Sequence, residues 1–166
     1  DSADYDVNDI IPYKLEATLA DNLENYENGY NLKFHDYLSE GLTYLAITSV
    51  KIINSETDVI TLSAADYILA YEETVADIPE TELEEHSKLT VTINGIKAKG
   101  GKNGCKVVFE YTAELNEQAV HGAPGNPNEV YLEYDRYPYE DYVPGETPKD
   151  RVIAFTYKVV VNKVRE

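Results

Sequence analysis

An amide and a set of acids are the side chains in this sequence whose types could do chemistry. The last apolar run, residues 154–164, reads Ala-Phe-Thr-Tyr-Lys-Val-Val-Val-Asn-Lys-Val. Aromatic and β-branched residues dominate it, so a sheet strand is expected there. Asn162 fits that strand poorly. If buried, its amide needs partners for its carbonyl and for its N–H groups. Either Asn162 sits at the fraying end of the strand, or it has a chemical task.

Other familiar chemistries lack their spacing. There is no nucleophile elbow, phosphate loop, zinc motif or calcium loop. Cys105 is a lone cysteine and forms no internal disulfide. His35, His86 and His121 are too far apart in sequence to suggest metal ligation. Asp1, Asp4, Asp6 and Asp9 miss the calcium-loop spacing and read as a solvated acidic stretch. With 31 acids in the chain, some close carboxylate pair is inevitable, so a glycosidase dyad gains no support from composition. No metal, cofactor or conventional enzyme activity is expected. The formal net charge of −17 argues against nucleic acid and against anionic membrane surfaces as partners, because both need a basic face. Tyr131, Tyr134, Tyr137, Tyr139 and Tyr142 could form a recognition loop, since tyrosine offers contact area at low entropic cost. Packing between strands is the favoured reading for about half of them.

Strands must position whatever site exists. Ile11, Tyr13, Leu15, Ala17 and Leu19 alternate onto one face, with Lys14, Glu16 and Thr18 on the other, and Pro12 marks an edge or a strand start. Alternation resumes after Asn28-Gly29 through Tyr30, Leu32 and Phe34. Gly41 separates this run from the strand expected over 42–52. Residues 63–71 fit a helix or a strand, and 81–87 suggest one helical turn. Strands are expected over 89–93, 106–115, 130–134 and 151–164. Val107, Phe109, Tyr111, Ala113 and Leu115 are in phase. Residues 122–128 are expected to form a tight loop, and 135–150 a polar one. Some eight to ten short strands without βαβ alternation predict an all-β sandwich. One domain over 1–166 is expected, as a piece of a longer multi-domain protein.

Several segments together resemble one family. Residues 6–19, Asp-Val-Asn-Asp-Ile-Ile-Pro-Tyr-Lys-Leu-Glu-Ala-Thr-Leu, are similar to its opening "VGD-x-I-x-Y-x-L-x-A" strand, with Asn8 in the usual Gly position. Residues 34–44 resemble its "FHDTLSEGLTY" element, with Tyr37 where Thr is common. Residues 111–117 resemble its "Y-x-A-x-L-N" strand. Residues 125–134 and 145–148 are similar to the family's later segments, and the closing strand completes the order. The pattern is that of backbone shaft pilins from Gram-positive, streptococcal-type sortase-assembled pili, and the likeness covers nearly the whole chain.

The resemblance implies an immunoglobulin-like sandwich of the collagen-adhesin type, in an extracellular, cell-wall-anchored pilus. It implies other pilin subunits as partners through a sortase-made polymer, with a host surface or matrix as a further partner. It also implies a spontaneous Lys–Asn isopeptide bond, and the family's last-strand acceptor falls on Asn162. Such a bond needs a neutral amine, which burial favours, and a protonated acid beside the pair. The acid belongs on the strand ending at Asn116. Continued alternation favours Glu117, then Glu114. The lysine belongs upstream of residue 6, where this sequence has none. Lys14 lies on the polar face of its strand and reads as solvated. The alternative function is a host-ligand-binding adhesin domain using the Tyr-rich 131–142 loop.

Overall fold

Alternation builds the layers. Strand β1 (Ile10–Thr18) buries Ile11, Tyr13, Leu15 and Ala17 and exposes the residues between them. That period of two is what a strand with one face on a core requires. The computed structural model describes residues 6–27, 29–75, 86–120, 126–135, 144–146 and 150–153. Among these the further strands are β2 (Leu32–Ser39), β3 (Leu42–Ser55), β4 (Asp58–Thr61), β5 (Ile68–Val75), β6 (His86–Ile93), β7 (Lys106–Leu115), β8 (Pro127–Asp135), β9 (Pro144–Glu146) and β10 (Asp150–Ile153). Two 3-10 turns, Leu23–Asn25 and Ala64–Asp66, are the described helical pieces.

The strands form two antiparallel sheets. One has the order β1-β7-β3-β4; the other has β10-β8-β2-β6-β5, with β9 also on β8. Sequence neighbours repeatedly fall in different sheets, as in an immunoglobulin-like sandwich. Between the sheets lies one apolar core. Val107, Phe109, Tyr111, Ala113 and Leu115 of β7 face Leu32, Phe34 and Leu38 of β2 and Leu89, Val91 and Ile93 of β6 across it. Burying such a side chain contributes about 1.5–3 kcal/mol. Phe34 and Phe109 meet across the layer with ring centroids 5.6 Å apart.

Local chemistry explains the ends of β1. Pro12 has no N–H to donate, and β1 is an edge strand that pairs with β7 among the described residues. Asn8 has φ 77°, and its N–H donates to the Leu115 carbonyl at 2.7 Å. Gly and Asn are the residues that enter this left-handed region at least cost. That is a physical reason for Asn8 to replace the glycine of the resembled motif.

Several expectations change. Asn128 is not in a loop: β8 begins at Pro127, and residues 122–125 of the expected loop lie outside the described residues. The ambiguous 63–71 run splits into the Ala64–Asp66 turn and the start of β5. Residues 135–150 contain β9 and reach β10, because both return to pair with β8. The helical turn expected at 81–87 lies mostly outside the described residues, and His86 and Ser87 open β6.

Candidate functional site

Three fully buried polar side chains meet inside the core. Asp36 shares the inward face of β2 with Leu32, Phe34 and Leu38, and is itself fully buried. β8 runs beside β2, with Leu38 opposite Asn128 and Asp36 opposite Val130. This register puts Asn128 on the same face, one step diagonally from Asp36. Tyr111 enters from β7 in the opposite sheet. Its hydroxyl donates to Asp36 Oδ2 at 2.5 Å, while Asn128 Nδ2 donates to Asp36 Oδ1 at 2.8 Å. The Tyr111 ring is held by stacking on Tyr13 at 5.1 Å and on Phe109 at 5.3 Å.

The surroundings fix the protonation of this group. Burial pushes the Asp36 carboxyl up to about 7, against the opposing hydrogen bonds from Tyr111 and Asn128. Burial and the neighbouring Asp36 carboxylate also push the Tyr111 hydroxyl well above its ordinary range. Below neutral pH, Asp36 is therefore a carboxylic acid in contact with a primary amide. Asn128 Oδ1 is buried without a hydrogen-bond partner among the described residues. Such an atom costs about 1–3 kcal/mol when left unpaired. The amide is thus tied on its nitrogen side and unsatisfied on its oxygen side.

Of the residues singled out from sequence, those that are described lie elsewhere. Asn162 is outside the described residues. Glu114 is half-buried, between the inward-facing Ala113 and Leu115. Glu117 is exposed, because β7 ends at Leu115 and a turn interrupts the alternation that would carry Glu117 inward. Lys14 is exposed, as its position on the polar face implies, and pairs with Glu16 at 3.2 Å. No described lysine is buried.

Asp36 and Asn128 had a readable signal. Leu32, Phe34, Asp36 and Leu38 alternate, as do Asn128, Val130, Leu132 and Tyr134, so each polar residue is in phase with an apolar face. A polar side chain inside such a series is the mark of a buried polar group.

Among the tyrosines of the 131–142 stretch, Tyr131 stacks on His35 at 4.3 Å with nearly parallel rings. Tyr134 is half-buried and packs on the core. Tyr137, Tyr139 and Tyr142 are outside the described residues. Among the described residues no group of three or more His, Cys, Asp or Glu could hold a metal ion.

No family model and no curated protein sequence matches the chain. Solved structures do. The 35 kDa C-terminal fragment of the major pilin GBS80 of Streptococcus agalactiae superposes with a TM-score of 0.62 at 21% identity, covering 91% of this chain and 51% of that one. Domains D2 and D3 of the major pilin SpaD from Corynebacterium diphtheriae give 0.58 at 19% identity, covering 90% and 48%. The full-length major pilin RrgB from Streptococcus pneumoniae gives 0.51 at 22% identity, covering 78% and 19%. The chain spans about half the length of the first two. The sandwich around Asp36, Tyr111 and Asn128 is therefore the fold of Gram-positive major pilin domains.

Proposed function

We propose that the chain is a structural, non-enzymatic domain of a pilus shaft, joined to other pilin subunits on a Gram-positive cell surface. We further propose that Asn128, with Asp36 as the assisting acid, is the acceptor half of an intramolecular isopeptide bond. The observation that carries this reading is the buried acid–amide contact within a pilin-type sandwich. The sequence-based choice of Asn162 with Glu117 or Glu114 is the competing assignment.

The chemistry balances. A neutral lysine amine attacks Asn128 Cγ, a new C–N bond forms, and the original amide C–N bond breaks. A half-turn of the amide plane places Oδ1 against the protonated Asp36 and turns the nitrogen outward. Asp36 then polarises the carbonyl by donating to it, relays a proton from the attacking amine to the departing nitrogen, and ends protonated. Ammonia leaves. The event occurs once per molecule, so it gives no turnover. The low-dielectric site also favours the neutral amine.

A longer natural chain that includes an upstream lysine should weigh one ammonia less than its sequence mass. Asn128→Ala should restore the full mass, while Asn162→Ala should leave the loss intact. The reverse pattern would move the acceptor to Asn162, and full mass in the longer wild-type chain would sink the cross-link altogether. Closing a loop of more than about 100 residues should stabilise the longer chain by about 4–5 kcal/mol by analogy with a disulfide. Its shaft role predicts that antibody against this domain decorates the whole length of surface fibres; labelling at fibre tips alone would count against it.

A further inference from the structure

Six hydrogen bonds lace together one end of the sandwich. Asn126 is buried, and its amide pairs with the backbone of Val120 as a strand would: Val120 N–H donates to Oδ1 at 2.8 Å, and Nδ2 donates to the Val120 carbonyl at 3.0 Å. Asn116 Nδ2 donates to the Glu40 carbonyl at 2.8 Å and to Thr43 Oγ1 at 2.9 Å. The Asn116 N–H donates to the Gly41 carbonyl at 3.0 Å, and Gln118 N–H returns to Asn116 Oδ1 at 2.9 Å. Gly41 lies directly beneath. A Cβ added there would collide with Asn126 Oδ1 and stand 2.6 Å from Ala119 Cα. Close approach, not backbone angle, demands glycine at this position.

The segments so joined are the β2–β3 turn, the exit of β7 and the entry of β8. β2, β7 and β8 carry Asp36, Tyr111 and Asn128. β2 and β8 are already paired within one sheet, but β7 belongs to the other. We propose that Asn126 and Asn116, closed over Gly41, are positioning residues that hold Asn128 and Asp36 in register with Tyr111 across the two sheets. This rests on the site reading above and extends it to residues that touch none of the reacting atoms. An ordinary turn staple would hold the fold together without reporting to the buried acid.

The test is the titration of Asp36 in the 166-residue protein, followed by carboxyl carbon NMR. Asn54 provides the control. It staples a different loop through the Gly100 carbonyl at 2.9 Å and Lys102 N–H at 2.9 Å. Asn126→Ala should raise the Asp36 midpoint further, because loss of register weakens the Tyr111 and Asn128 hydrogen bonds that hold it down against burial, while the far-ultraviolet spectrum stays that of a β-sandwich. Asn116→Ala should act the same way, which covers the case in which Asn126→Ala fails to fold. Asn126→Asp keeps the acceptor for Val120 N–H and should reverse part of that rise. Asn54→Ala should leave Asp36 unmoved. An Asp36 midpoint unchanged in folded Asn126→Ala or Asn116→Ala overturns the proposal, as does an equal change in Asn54→Ala. If Asp36 titrates as an ordinary carboxylate in the unaltered protein, the site reading itself fails, and the clip falls with it.

Discussion

At the scale of single residues, Asp36 sets the pH behaviour of the domain. Its carboxyl is raised from 3.8 to about 7 in the folded state, chiefly by burial. The folded protein therefore binds this proton more tightly than the unfolded chain does. The group's contribution is fully present below about pH 4 and is lost as pH rises through about 7. Complete loss corresponds to about 4 kcal/mol. Asp36→Asn should abolish most of this dependence, because an amide of the same shape stays neutral at every pH. Urea unfolding at a series of pH values checks it, and parallel curves for both proteins would refute the assignment. Glu114 and Glu117 both lie outside the buried core that holds Asp36.

At the scale of elements, β1 and its entry show how the sequence specifies register. Asn8 takes a left-handed backbone and bonds Leu115, which fixes where β1 begins to pair with β7. Asn8→Gly should be nearly neutral in urea unfolding. Asn8→Val should cost about 1–2 kcal/mol, because a β-branched residue is strained at that φ. Equal stability of the two variants would show that the turn relaxes freely. The same elements show what was legible beforehand. Alternation in 11–19 and 107–115 placed β1 and β7 with the correct inward faces, since each has one face on the core. The in-phase pattern also contained Asp36 and Asn128, each a polar side chain within an alternating apolar series. Their meeting depends on the Leu38–Asn128 register and on Tyr111 crossing from the other sheet, neither of which is local in sequence. Glu117 is exposed because β7 ends at Leu115 and the turn held by Asn116 interrupts the alternation. The segments that resemble the pilin pattern nonetheless contain Asp36, Gly41, Tyr111, Asn116, Asn126 and Asn128 together.

At the scale of the whole molecule, charge and the buried acid act in the same direction and must be separated. A net charge of −17 makes the compact state repel itself at neutral pH. Pairs such as Lys14–Glu16 and Lys102–Asp58 are largely exposed and offset little of this. Lowering the pH neutralises surface carboxylates and protonates Asp36, so both effects stabilise the domain on acidification. Salt distinguishes them. The screening length falls from about 30 Å at 0.01 M to about 3 Å at 1 M, which suppresses long-range repulsion but not the desolvation of a buried carboxylate. Adding about 1 M sodium chloride at neutral pH should therefore raise the urea midpoint of both the unaltered protein and Asp36→Asn. At that salt concentration, a fall in stability between about pH 4 and about pH 7 should persist in the unaltered protein and nearly vanish in Asp36→Asn. If salt instead flattens the pH dependence of both proteins, surface repulsion is its source and Asp36 is not held protonated by the core.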